Sequence, residues 1–184
     1  MDALVGELLE ASRLREGSVA LRLRSVELAS VIEAALEAED LDSRVLEIHH
    51  EADCWVDLDD ARMHRVFRNL FSNIRRYTPK DVVVRVTSGR ADAGIFVEVA
   101  DGGPGVPDAL LPQIFEPFFR EEKSRSKATG GLGLGMMLVQ RIIEAHGGTV
   151  EARRAPEGGL LVRIEGLSES SPSELNTGSD PESS

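Results

Sequence analysis

Cysteine is all but missing from this chain: Cys54 is the only one in 184 residues, so no intramolecular disulfide can form. That usage suits a reducing compartment. No apolar run approaches the ~20 residues of a membrane-spanning helix, and no leader pattern opens the sequence. A basic surface is lacking as well. The formal net charge is −11, whereas a general nucleic-acid binder needs a basic footprint against phosphate. Aromatic residues make up only 4%, yet Phe115, Phe118 and Phe119 crowd into one short stretch. Both of the best-known phosphate loops are missing. There is no G-x-x-x-x-G-K-[ST], and Gly131-Leu132-Gly133 lacks the later glycine of the dinucleotide fingerprint. The chain shows no internal repeat, and its length suits one domain with a substantial core. These absences predict a cytoplasmic protein with neither membrane insertion nor nucleic-acid binding.

What is present concentrates in two glycine clusters. Asp101-Gly102-Gly103-Pro104-Gly105 follows an apolar run of Ile95, Phe96, Val97 and Val99, so Asp101 sits at the mouth of a predicted strand. Glycine there lets backbone approach a flat ligand closely. Gly130-Gly131-Leu132-Gly133-Leu134-Gly135 runs into a helical apolar pattern of Met136, Met137, Leu138, Ile142 and Ile143. A glycine-rich helix start leaves unpaired N–H groups and a positive dipole end free for phosphate. Together the clusters predict a nucleotide site with a lid over Val106 to Gly130.

Upstream, Met63, Val66, Phe67, Leu70, Phe71 and Ile74 recur at helical spacing over Arg62 to Tyr77, with Asp59 as N-cap. Asn69 and Asn73 are four apart and share one face. Asparagine is a poor helix-interior residue. A pair of amide oxygens suits a hard cation such as Mg²⁺, and two partly exposed helix amides are the plainer alternative.

These residues together resemble the catalytic, ATP-binding domain of bacterial sensor histidine kinases, within the Bergerat-fold ATPase superfamily. Asn69 to Pro79 (NLFSNIRRYTP) is similar to the family's N box and Asp101 to Gly105 to its first glycine box. Phe115 to Arg120 (FEPFFR) is similar to its F box and Gly131 to Gly135 to its second glycine box, in the family's order. The resemblance spans residues 1 to 165. It implies that Asp101 accepts a hydrogen bond from the adenine amino group, Asn73 holds Mg²⁺ with Asn69 beside it, Arg76 reaches a phosphate and Tyr77 covers the base. Gly103 and Gly105 would line the base pocket. Gly131, Leu132, Gly133, Leu134 and Gly135 would face the phosphates, and Arg125 or Lys127 of the lid would contact the γ-phosphate. In hydrolytic relatives a water-activating carboxylate stands at the Asn69 position. An amide cannot take a proton at neutral pH, so transfer to a delivered acceptor is favoured over hydrolysis. Gly102, Ile74, Arg76 and Leu132 depart from the family's frequent Asn, Ala, Lys and small hydroxyl residues, which implies modest nucleotide affinity.

The predicted layout has helices at 1–14, 27–39, 62–77 and 134–146, the last capped by Gly147-Gly148. Strands are predicted near 44–49, 53–57, 81–88, 94–100, 149–154 and 160–165. That is an α/β two-layer sandwich, a mixed sheet with helices on one face. Residues 1–16 resemble the closing end of a dimerisation and phosphoacceptor helix, 17–166 the catalytic domain, and 167–184 a disordered tail with four acids, seven serines and no Lys or Arg. His50-Glu51 mimics the family's acceptor dipeptide but falls in a strand context, and His64 and His146 lie elsewhere. The implied activity is therefore ATP-dependent phosphorylation of a histidine outside this chain, with a response regulator beyond it. The chain would be a separate subunit or part of a longer kinase, and Met1 is read as favouring the first. A non-catalytic, nucleotide-gated interaction module is the alternative from another class. An anti-sigma-factor-like serine kinase is the alternative within the superfamily.

Overall fold

The computed structural model describes residues 20–39, 41, 45–120 and 132–172. The helix expected over 1–14, residues 121–130 of the expected lid with Arg125 and Lys127, and Gly131 of the second glycine box lie outside the described residues. The first described strand, β1 (Arg24–Glu27), pairs antiparallel with β3 (Trp55–Leu58) in a small sheet of its own. Between them come helix α1 (Leu28–Ala38) and strand β2 (Val45–His50). Helix α2 (Asp60–Tyr77) follows, then the hairpin β4 (Val83–Ala91) and β5 (Gly94–Asp101). A 3₁₀ segment (Asp108–Gln113), helix α3 (Gly135–Ala145) and the hairpin β6 (Thr149–Arg154) and β7 (Leu160–Leu167) complete the order.

The main sheet runs β2-β4-β5-β7-β6. β2 and β4 are parallel and the other pairs are antiparallel. Strand alternation separates its two faces. Val84, Val86, Val97, Val99, Val162 and Ile164 are buried against the helices, which all pack on this side. The opposite face is charged and paired: Glu98 accepts from Arg163 at 2.8 Å and from Arg153 at 2.9 Å. The Arg163 guanidinium also lies 4.7 Å from the Phe96 ring centroid, a favourable cation–π distance. One face apolar and one solvated is the usual state of antiparallel strands, so the two-layer sandwich expected from the pattern holds.

Helix α2 is the centre of the second layer. Its buried stripe is Met63, Val66, Phe67, Leu70, Phe71 and Ile74, the six residues that the periodicity picks out. Asp59 caps it as expected, its side chain accepting from the Arg62 N–H. Arg75 and Arg76 occupy the last turn, where cations complement the helix dipole.

Two features differ from the sequence expectation. The strands near 44–49 and 53–57 do not share a sheet, because β3 pairs with β1, a strand too short and too exposed to announce itself. The expected tail boundary at 167 is also too early. Val56 bridges Glu169, the Ser170 N–H donates to the Trp55 carbonyl, and Arg90 binds Glu169 at 2.6 Å. Serine-rich composition reads as disorder, but here the backbone of 168–170 completes the free edge of β3. Residues 173–184 lie outside the described residues.

Candidate functional site

The C-terminal end of α2, the end of β5 and the start of α3 converge on a cavity of about 820 Å³. α2 contributes Asn69, Asn73, Arg76 and Tyr77, with Thr78 just beyond. β5 and the loop after it contribute Val99, Asp101, Gly105 and Val106, and the F box Phe119 and Arg120. Leu132, Gly133, Leu134, Gly135 and Met136 close one end, and Arg154, Leu160 and Val162 of the last hairpin close the other side. All the described site residues expected from the motifs line this one cavity except Gly103.

Gly103 acts one step back. Its N–H donates to Asp101 Oδ1 at 2.8 Å. A methyl group there would come within 2.7 Å of the same oxygen and 3.0 Å of Thr78 Cγ2. It fixes the carboxylate of Asp101 and leaves the lining to others. Gly105, with φ +68°, packs so closely on the last hairpin that a methyl would stand 2.7 Å from the Gly159 carbonyl oxygen. Gly159 in turn has φ +80°, and a methyl on it would overlap the Asp101 carbonyl oxygen. Neither Gly159 nor Arg154 is marked by the boxes. The Gly158-Gly159 doublet at a hairpin turn was the available signal for the first.

At the other end, α3 begins with no side-chain cap, so Leu134 supplies no side-chain partner to its first N–H groups, and Gly135 and Met136 of that turn line the cavity. Gly133, at φ +74°, is locked against the F box. A methyl on it would come within 2.8 Å of the Phe118 and Phe119 backbone, and the Phe118 N–H donates to the Gly133 carbonyl at 2.9 Å. Phe118 itself takes φ +64°, which is unusual for a bulky residue. Phe115 and Phe119 pack on the core while Phe118 is exposed, so the aromatic cluster fastens the second glycine box to the sheet layer. A methyl on Gly135 would lie 3.1 Å from Asn69 Oδ1, and Asn69 Nδ2 is buried without a hydrogen-bond partner.

The electrostatics favour an anion. Three of the charged lining side chains are cations (Arg76, Arg120 and Arg154) and one is a carboxylate (Asp101), in a chain of net charge −11. Among the described residues no cluster of three His, Cys, Asp or Glu could hold a metal. The available donors are therefore amide oxygens. That set suits Mg²⁺, which takes few protein ligands and shares the rest of its shell with water and phosphate.

The far ends of the two site helices meet at His146. Its Nδ1–H donates to the Ile142 carbonyl at 2.7 Å, and Nε2 accepts from the Asp59 N–H at 3.0 Å. The partners demand a neutral ring. Burial lowers its pKa below 6.5, opposed by the Ile142 carbonyl and Asp59. The folded state then binds fewer protons than the unfolded one. Stability is full above the unfolded value and falls as pH drops below it. Burial lowers His50 likewise. Thermal unfolding between about pH 7 and pH 5 should show this loss, and His146→Gln should reduce it, leaving the His50 share, while keeping an acceptor for the Asp59 N–H.

Comparison with known proteins agrees with this geometry. Residues 58–169 match the family of histidine kinase-, DNA gyrase B- and HSP90-like ATPases. The chain is 34% identical over 166 residues to the signal transduction histidine-protein kinase BaeS of Escherichia coli K12, covering 88% of this chain and 36% of that protein. It is 35% identical over 175 residues to the sensor protein KdpD of Mycobacterium tuberculosis H37Rv, covering 90% and 20%. The chain thus spans about a third or less of the length of these relatives. The solved structure of the mycobacterial sensor histidine kinase MprB superposes with a TM-score of 0.69 at 24% identity, over 82% of this chain and all of that one. Acinetobacter baumannii AdeS gives 0.73 at 24% identity, over 91% and 77%. At that identity the superpositions speak for the fold alone. The chain belongs to the histidine kinase-, DNA gyrase B- and HSP90-like ATPase family, as an ATP-binding catalytic domain of the histidine-kinase type.

Proposed function

We propose that this domain binds Mg²⁺-ATP in the cavity between α2, β5 and α3 and passes the γ-phosphate to a histidine outside the chain. One observation carries the reading: a single cavity holds a carboxylate at one end, and an amide pair facing an uncapped helix start at the other. Asp101, held by the Gly103 N–H, accepts from the adenine amino group. Val99, Ile74 and Val162 supply apolar surface for the base, and Tyr77 covers it. Gly133, Leu134 and Gly135 present N–H groups to the phosphates, with Arg76 beside them. Asn73 would hold Mg²⁺, which supplies charge neutralisation, and Asn69 sits against Gly135, its Nδ2 buried without a hydrogen-bond partner.

In the transfer, the lone pair of the acceptor imidazole attacks the γ-phosphorus. The bond to the bridging oxygen breaks with its electrons, and ADP leaves. The chain positions and neutralises and need supply no covalent help. Asn69 cannot act as a base toward water. His49, His50, His64 and His146 all lie outside the cavity lining, which supports an acceptor delivered from elsewhere. Residues 1–16 would be the end of the helix that leads to such a hairpin. The partners on this reading are that histidine-bearing hairpin and a response regulator, and the setting is cytoplasmic. Among the described residues no helix is long and apolar enough to cross a membrane.

Asp101→Asn keeps the shape of the side chain but removes its charge and puts a donor beside the base amino group. ATP binding should weaken by about 1.5–3 kcal/mol, the range for a hydrogen bond to a charged group. Wild-type protein should prefer ATP to GTP, whose carbonyl would meet the carboxylate. Titration calorimetry with both nucleotides reads both effects, and equal affinity for ATP and GTP would remove the assignment of Asp101.

A further inference from the structure

Strand β6 alternates cleanly until its last residue. Val150 and Ala152 point to the helix side and pack on the core, while Glu151 and Arg153 are exposed. Arg153 reaches Glu98 across the solvent face at 2.9 Å. The same parity places Arg154 on the apolar side, where a strand of this sheet should carry a small or apolar residue. It lines the cavity there. The other charged residues of the hairpin are engaged: Glu157 holds Arg85 at 3.0 Å, and Arg163 is shared by Glu98 and Glu165. Among the described residues no carboxylate lies within ion-pair distance of Arg154. Arg154 is itself exposed at the cavity, and a cation at that parity with no such carboxylate among the described residues is a local conflict of the sort that marks a functional position.

The register says which end of the cavity it serves. Arg154 pairs with Leu160, next to Gly159, where an added methyl would overlap the Asp101 carbonyl oxygen. It therefore stands at the end of Asp101, away from the Asn69 and Gly135 end. A guanidinium only donates. Beside the amino group that Asp101 would read, the adenine ring offers an acceptor nitrogen. We propose that Arg154 is a base-reading residue, donating to that ring nitrogen while Asp101 accepts from the amino group, so that adenine is read at two adjacent points. This rests on the ATP reading above.

The test uses wild type, Arg154→Ala and Arg154→Lys with three probes: ATP, adenosine and inorganic triphosphate, titrated by calorimetry and by chemical-shift perturbation. Arg154→Ala should weaken ATP and adenosine alike by about ten-fold, the scale of one hydrogen bond to a charged group, and leave inorganic triphosphate unchanged. Arg154→Lys should recover part of the loss. Weakened triphosphate with unchanged adenosine would make Arg154 a phosphate ligand and overturn the proposal, and three unchanged affinities would make it a solvated rim cation. A wild-type protein that binds no ATP would instead overturn the ATP reading itself.

Discussion

Gly159→Ala should cripple nucleotide binding, although Gly159 belongs to none of the sequence motifs. Two costs arise at that position. At φ +80° any side chain is strained, which typically costs about 1–3 kcal/mol. The added methyl would also overlap the Asp101 carbonyl oxygen and come 2.7 Å from Oδ1 of the same residue. Backbone cannot yield there as a flexible side chain would, so Asp101 must shift. Its neighbour separates the two effects. Gly158 has φ +93°, and the nearest atom to an added methyl is the Gly103 carbonyl oxygen at 3.9 Å. Gly158→Ala should therefore lower the melting temperature with little change in ATP affinity. Gly159→Ala should lower the melting temperature and weaken ATP by at least about ten-fold, as expected if a charge-assisted hydrogen bond is lost. Calorimetric titration on both variants, at a temperature where each is folded, distinguishes strain from displacement. Equal ATP affinity for the two would show that Asp101 tolerates the shift.

The contrast between these glycines also shows where sequence reading succeeds. The stripe of α2 and its Asp59 cap were legible because helical periodicity and capping chemistry are local. The two glycine boxes and the N box were legible because residue identity at fixed spacing carries them. Gly103, by contrast, looks identical in sequence whether it lines a pocket or holds Asp101 from behind, and only the 2.8 Å hydrogen bond decides. Arg154 was invisible for a related reason. In Arg153-Arg154 the two cations are equivalent on paper, and strand parity sends one to Glu98 and the other to the cavity. The segment after β7 misled in the other direction. Its serines and acids read as solvated tail, yet Arg90 gathers Glu51 and Glu169 and the β3 edge takes up its backbone. Pairing between segments so far apart in sequence, with Val56 and Glu169 more than a hundred positions from each other, leaves no local signature.

Asn73→Ala should abolish phosphotransfer while leaving the domain folded. Asn73 lies one turn beyond Asn69 on α2, half-buried at the cavity. Alanine there raises helix propensity and leaves the buried stripe of Met63, Val66, Phe67 and Leu70 untouched. What is lost is a positioned oxygen for the metal that neutralises the transferring phosphoryl group. Losing a pre-organised electrostatic contact of that kind costs roughly a hundred- to a thousand-fold in rate. The assay is radiolabelled ATP with a separately supplied histidine-bearing helical hairpin, read as acid-labile phosphate on the hairpin. Wild type should label the hairpin and not itself, because none of His49, His50, His64 and His146 lines the cavity. Arg68→Ala serves as the control on the same helix, since its partner is Glu39 at 3.1 Å, away from the cavity. It should keep near-normal transfer. A folded Asn73→Ala protein with near-normal transfer would sink the metal-holding role. Stable labelling of His50 or His64 would overturn transfer to an outside acceptor. If wild type bound ATP yet labelled no histidine-bearing hairpin, the same cavity would be better explained as the switch of a nucleotide-gated interaction module, with closure over the bound nucleotide as its output.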